Sequence, residues 1–437
     1  MGFKENFERV ITTSAEFVDK NKYLSVVKAA FSQLLPLIMI GSFSTLLNTL
    51  IANPESGLAR WLPFLTNLKP AFDAISFATI SCMALPLIFL IGLSLGKKNG
   101  VSEVTSGILA LLSYILVVPN VVSITTDEGI TLQTAGLATS ALGAEGLLVG
   151  MLIAVLAVEI FSFLMKFEKI KIRMPDQVPP MVATSFNTLI PVFSTTTIIA
   201  ILGVLFRLAT GQFINEFIYT AVQTPLQNVF QTPYGIVIVI IVMQLLWFLG
   251  IHGGQATSPI KNPLMAIAIA VNVEAVSNGM APTEPITFGF WRCFVAVGGA
   301  GMIISLVFAI LLVSRRPEQK TLAKLGMLPS ICGISEPIIF GLPLVLNVTF
   351  LIPLVLNSCI SALIAMFAMN IGFIVPNAVD VPFGVPILLN AFISFGWKGT
   401  LVQLVCLIVT TLAWIPFVLI SNRQAAKATK NDVAAVN

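Results

Sequence analysis

The sequence predicts an all-α polytopic membrane protein of about ten transmembrane helices plus re-entrant hairpins, with N- and C-termini cytoplasmic, and three observations predict it. Apolar runs close to the length that crosses a hydrocarbon core as a helix recur along nearly the whole chain. Charge is scarce: only 10% of the 437 residues are Asp, Glu, Lys or Arg and mean hydropathy is +0.95, where a soluble protein carries about a quarter charged residues. Lys and Arg collect in alternate loops, as short cytoplasmic loops do.

In chain order, the start (MGFKENFERVITTSAEFVDK) mixes both charges and lacks a short apolar core with a small-residue cleavage site, so the first helix is retained rather than cleaved as a signal. MGFKEN also lacks the Ser or Thr that myristoylation of Gly2 requires. Clear spans cover residues 28–51, 76–96, 102–119, 140–165, 183–206, 234–250, 288–313, 346–369 and 399–421. Lys4, Arg9, Lys20 and Lys22 put the N-terminus inside, and Lys97 with Lys98 marks the next inside loop. Lys166, Lys169, Lys171 and Arg173 mark the third, while the loop at 120–138, with Asp127 and Glu128 and no Lys or Arg, reads as outside. His252 then falls inside, yet Arg315, Arg316, Lys320 and Lys324 demand an inside loop after one clear helix, so parity fails by one crossing. The weaker stretch 263–282, carrying Glu274, supplies it, and Arg423, Lys427 and Lys430 keep the C-terminus inside.

Three stretches are too broken by Pro and Gly to span: 252–264, 328–347 and 373–397. Irregular backbone at membrane depth survives only where protein buries it or where it lines a polar cavity. All three lie in the second half, which divides the chain into a scaffold half at 1–165, a connecting region at 166–232, a substrate-binding half at 233–421 and a cytoplasmic tail at 422–437. The connecting region holds the basic linker KFEKIKIRMPDQVPP, one helix and, at 211–231, an interfacial amphipathic helix with Phe213, Phe217, Ile218 and Val222 at helical spacing.

A charge at the centre of a span costs at least about 2.5 kcal/mol, so ionisable groups there are functional candidates. These are Glu145, Glu159, Glu274, Glu284, Arg292 and Glu336. For Glu145 and Glu159 a helix-packing hydrogen bond serves as well as function. Glu336 lies in PSICGISEPIIFG, where Gly333 and Gly341 permit close backbone approach and Pro337 removes a donor; its carboxylate either caps its own hairpin or accepts hydrogen bonds from a hydroxylated ligand. His252, the single histidine, opens HGGQ, in which Gly253 lets a ligand approach the backbone and the Gln255 amide both gives and takes hydrogen bonds. Such chemistry suits a sugar. Trp247, Phe340, Trp291 and Trp397 are aromatic faces for a sugar ring, with core or interfacial packing as the competing role of each.

The +4 net charge reflects basic cytoplasmic loops rather than a nucleic-acid surface. One histidine with scattered carboxylates, and five cysteines without metal or redox spacing, form no metal site, and no cofactor motif is present. There is no phosphate-binding Gly-rich loop ending in GK[ST], and GIHGGQ lacks the serine of a nucleophile elbow.

MPDQVPPMVATSFNTLIP at 174–191, LGIHGGQ at 249–255 and ICGISEPIIFGLPLVLN at 331–347 together resemble enzyme IIC, the membrane permease subunit of bacterial phosphoenolpyruvate-dependent sugar phosphotransferase systems, in the lactose, cellobiose and diacetylchitobiose branch. The resemblance covers residues 8–421 as one domain. It implies a multi-pass protein of the bacterial cell membrane, in contact with membrane lipids, forming a homodimer through its first five spans and enclosing one sugar per protomer in its later ones. It also implies that His252 and Glu336 contact the sugar, with Glu336 near the hydroxyl to be phosphorylated, and makes Arg292 and Trp397 looser candidates. Phosphorylated enzyme IIB, a separate chain carrying phosphocysteine, would donate the phosphoryl group, so this subunit has no phosphorylated residue of its own. His252 or Glu336 binds the hydroxyl or takes its proton as base. The contrasting expectations are an ion-coupled secondary sugar transporter and a sugar-sensing receptor.

Overall fold

Small residues decide how the early helices meet. In the computed structural model, Gly92 and Gly96 of the Ala84–Asn99 helix face Ser106, Gly107 and Ala110 of the Glu103–Val117 helix so closely that a Cβ on Gly92 would lie 2.6 Å from the Ser106 carbonyl oxygen. Without a hydrophobic drive between helices in lipid, this close backbone approach supplies the packing energy. Gly100, at φ 69°, closes the first of these helices in the left-handed conformation, with Lys97 and Lys98 in its negative last turn. The structure describes residues 21–54, 57–125, 131–172, 174–175, 177–342 and 344–436. The expectations resting on Lys4, Arg9, Lys20, Asp127, Glu128 and Arg173 lie outside them.

The chain forms two compact units, described here as residues 19–228 and 229–437. In the first, Lys22–Leu47, Ala84–Asn99, Glu103–Val117, Gly146–Leu164 and Pro180–Thr210 pack around Phe31, Leu87, Tyr114 and Phe161. Glu159 pairs with Lys22, and Asn99 donates to Ser162 beside it at 2.9 Å. The all-α expectation is corrected at 120–138, where Val121–Thr125 and Thr131–Ala135 pair antiparallel with Val121 opposite Ala135. Their β-branched residues favour strands, a signal that the long apolar helices around them overshadow.

The second unit opens with Pro233–Phe248, whose first turn is capped by Thr232. The Ser258–Ser277 helix corrects two boundaries: it starts earlier than 263, and 258–264 is helix, buried except at Ile260, rather than a broken stretch. Pro259 stands in its first turn, where no amide donor is needed. The expected continuous span 288–313 is interrupted twice: Trp291–Val295 is a π-helix, and Gly298, Gly299 and Gly301 all take positive φ. Carbonyls freed by these breaks are satisfied by side chains, with Ser358 donating to Val295 O at 2.9 Å and Gln403 to Cys293 O at 2.8 Å. Val348–Asn370 and Leu389–Val436 complete the unit, the latter broken at Gly396.

Among the described residues, seven helices are long and apolar enough to cross a membrane, or nine if each of two bent pairs is one span. Glu103–Val117 is a shorter apolar helix. The fold is that of a helical membrane protein.

Candidate functional site

Two breaks in the second unit bring the site together. Pro233–Phe248 ends where Gly250 takes φ 81°, and the Phe248 carbonyl accepts from the amide of Leu346 at 2.8 Å. That backbone bond fastens the loop before His252 to the segment that follows Glu336. A Cβ on Gly250 would sit 3.2 Å from Val345, so the approach is close enough to need a small residue.

His252 caps the short Gly253–Ala256 helix, its Nδ1 accepting from the Gln255 amide at 3.1 Å. An imidazole nitrogen that accepts leaves the proton on the other, so Nε2 carries the N–H. Nε2 points at the Glu336 carboxylate, 3.5 Å from Oε1, and both side chains are about two-fifths exposed, at 41% and 43%. Trp247 lies beneath the imidazole, ring centroids 4.3 Å apart, and is itself buried. It holds the ring of His252 rather than offering an open face. Gly253 is also explained by packing: a Cβ there would meet the Met243 carbonyl at 2.0 Å.

Glu336 does not stand at a wholly non-helical break, as the sequence suggests, but at the first position of a one-turn-plus helix, Glu336–Gly341, where Pro337 needs no donor. Its hairpin is anchored by the preceding Ser335, which sits against the glycine kink of the 288–313 segment. The Ala300 amide donates to Ser335 Oγ at 3.3 Å, and a Cβ on Gly299, at φ 99°, would lie 2.3 Å from that of Ser335. Phe340, on the same short helix, is 57% exposed.

The second broken segment, 371–388, reaches the first: the Ile387 amide donates to Ile331 O at 3.0 Å. At its turn Phe383 is 68% exposed, with its ring 3.5 Å from a Cβ placed on Gly333. The segment is held by a buried polar network. Asn272 uses both ends of its amide, accepting from Thr283 N at 3.0 Å and Glu284 N at 2.8 Å and donating to Glu284 O at 2.8 Å and Asn377 O at 2.9 Å. Thr287 donates to Asn377, whose amide in turn donates to Val379 O. Arg292 donates to Val381 O and lies against the Phe288 ring, so its guanidinium serves this segment. Trp397 follows the Gly396 break beside Lys398, whose ammonium is 5.6 Å from the Phe373 ring centroid.

The structure thus joins His252, Gln255, Gly253, Trp247 and Glu336 with Phe340 close along the chain, and gives Arg292 a structural contact. Sequence reasoning passed over Phe383, Ser335, Lys261 and Asp380. Lys261 and Asp380 are buried in the second unit, Lys261 with its ammonium 3.0 Å from Asn262 Oδ1 and 5.1 Å from the Trp291 ring centroid. The rule that flags Arg292 flags both once the spans are drawn to include them. No group of three or more His, Cys, Asp or Glu side chains suited to a metal ion occurs among the described residues.

What the pair offers is a donor and an acceptor aimed at one point, which is what a sugar hydroxyl, itself donor and acceptor, requires. The comparisons agree with the fold. Residues 28–358 match the family Phosphotransferase system, EIIC. The oligo-beta-mannoside-specific EIIC component of Bacillus subtilis is 32% identical over 94% of this chain and 92% of its own length. A cellobiose-specific EIIC component of Lactococcus lactis is 25% identical over 95% of this chain and 97% of its own. The crystal structure of the transporter ChbC, the IIC component of an N,N'-diacetylchitobiose-specific phosphotransferase system, superposes with a TM-score of 0.90 at 29% identity, covering 97% of this chain and 99% of that one.

The chain therefore belongs to the EIIC family: it is a membrane permease component of a sugar phosphotransferase system.

Proposed function

We propose that this permease takes up a β-linked disaccharide or short oligosaccharide across the bacterial cell membrane, and that His252 and Glu336 hold the hydroxyl to be phosphorylated. The observation that carries the reading is the 3.5 Å approach of Nε2 to Oε1 at an exposed edge of the second unit. A hydroxyl oxygen beside that line accepts from the Nε2–H and donates to the carboxylate, each at hydrogen-bond length. Gln255, exposed one turn from His252, completes the polar side, and exposed Phe340 and Phe383 offer apolar faces to the ring. Trp397, exposed after the Gly396 break, is a further aromatic candidate, Arg292 supports the 371–388 segment, and Trp247 acts through the imidazole that it supports. The oligo-beta-mannoside, cellobiose and diacetylchitobiose systems of the relatives support a β-linked sugar as cargo.

The phosphoryl group comes from phosphorylated IIB. The sugar hydroxyl attacks phosphorus, the phosphorus–sulfur bond breaks, the IIB thiolate leaves, and the hydroxyl proton passes to the carboxylate or to solvent. Holding the hydroxyl in line accounts for most of the rate. In this reading Glu103–Val117 and the two bent pairs bring the spans to ten, both termini are cytoplasmic, and two chains associate through their first halves.

Proteoliposome uptake tests it. Trapped sugar phosphate should accumulate only when phosphorylated IIB is supplied to the cytoplasmic side. Uptake of unmodified sugar driven by a proton or sodium gradient would instead make the chain an ion-coupled transporter, and sugar binding without any translocation would make it a receptor.

A further inference from the structure

We infer that the open face of the Pro317–Ile331 helix, continued by the exposed side chains around Glu336–Gly341, is the surface on which phosphorylated IIB docks. The inference rests on the function proposed above and adds the partner's seat to it. One face of this helix is fixed to the protein: Gln319, Ala323, Gly326 and Ser330 are buried, Gln319 bonds Ser314 and Ser421, and a Cβ on Gly326 would clash with Ile338 at 2.2 Å. The other face carries Leu325 and Leu328, 71% and 70% exposed, at adjacent positions on one stripe, with Lys324 beside them. Beyond the helix the exposed apolar surface continues through Ile334 and Phe340 on either side of Glu336.

Three arguments select the occupant. A phosphoryl donor must bring its phosphorus within bonding reach of a hydroxyl held at Glu336, so its seat has to border that carboxylate, and this stripe leads to it along the chain. The stripe has the make-up of a protein–protein contact, with large apolar anchors inside a polar rim. The rim is cationic: Lys324 and, at the head of the helix, Arg315 are exposed, which complements a phosphorylated protein and steers it. Arg316 is instead committed to Glu318 at 2.6 Å.

The test uses the full-length chain in proteoliposomes with a phosphorylated IIB that supports transfer by the unaltered protein. Leu325→Ser with Leu328→Ser, and separately Arg315→Glu with Lys324→Glu, should raise the KM for phosphorylated IIB at least tenfold while sugar affinity measured in detergent stays within twofold. The effect of the charge pair should shrink as ionic strength rises. A photo-crosslinking residue placed at 325 or 328 should capture phosphorylated IIB, and one at Tyr234, exposed at the start of Pro233–Phe248, should not. An unchanged KM, or no crosslink at either position, overturns the inference; so does loss of lipid reconstitution with KM intact, which would make the stripe a lipid contact. Failure of every phosphorylated IIB to transfer its phosphoryl group to sugar bound by the unaltered chain would overturn the proposed function instead.

Discussion

His252 Nε2 and Glu336 Oε1 face each other at 3.5 Å because each is set by a separate backbone constraint: the Gln255 amide fixes the imidazole through Nδ1, and the glycine kink at 298–301 fixes the hairpin through Ser335. The pair is therefore prepared before sugar arrives, which lowers the ordering cost of binding.

His252 caps a helix and, in the proposed function, also donates to the sugar, and substitution separates the two. His252→Ala removes the cap and the Nε2 donor together, and should cost about 0.5–2 kcal/mol of local stability as well as sugar affinity. His252→Asn restores a capping acceptor but cannot reach Glu336. Thermal unfolding should return toward that of the unaltered protein while sugar affinity stays low; recovery of both would make the histidine a cap alone.

Replacing Glu336 by Gln keeps the shape and removes the charge. A hydrogen bond to a charged group contributes about 1.5–3 kcal/mol, so sugar affinity should fall roughly tenfold to hundredfold by calorimetry. A pH–rate profile with phosphorylated IIB then tests base catalysis. If Glu336→Gln binds normally yet transfers nothing, the carboxylate acts as a base rather than as a binding group.

Gly299 has both a left-handed φ of 99° and a Ser335 side chain where its Cβ would stand. Gly299→Ala should displace the hairpin, lowering sugar affinity more than His252→Asn does, although residue 299 touches no sugar in this account. Equal affinity in Gly299→Ala and the unaltered protein would show that the Ser335 anchor does not position Glu336.

Asn272→Ala should destabilise the second unit. It strands two backbone amides and two carbonyls that the Asn272 amide satisfies, at about 1–3 kcal/mol for each left without a partner. A fall in the detergent unfolding temperature, larger than for Ala substitution at exposed Glu274, is the expected result.

Much of this was legible in the sequence. Apolar runs and basic loops located the helices, and parity found the Ser258–Ser277 helix in a stretch too polar to stand out, where Asn272 and Glu274 interrupt it. Pro and Gly flagged the breaks around Glu336 and within 373–397, although from Leu389 on that stretch is helix up to the Gly396 break. What stayed hidden depends on contacts between distant segments. The π-helix at Trp291–Val295 lies in a run whose one charge, Arg292, is flanked by apolar residues on every side, so periodicity carries no trace of it. AVGGAGM reads as flexible helix until Ile304, Ser335 and Leu354 are seen to fill the spaces that Gly298, Gly299 and Gly301 leave. Trp247 looked like a sugar platform because sequence spacing cannot tell an open ring from one covered by a neighbouring imidazole.

The central claim is that His252 and Glu336 act on one hydroxyl, and a double-mutant cycle on sugar affinity tests it most directly. Kd would be measured for the unaltered protein, His252→Ala, Glu336→Gln and the double variant, using the β-linked disaccharide that the unaltered protein binds most tightly. The account predicts a coupling of at least about 1 kcal/mol, the double variant losing less than the two single losses combined. Additive losses, or affinity unchanged in either single variant, would contradict it.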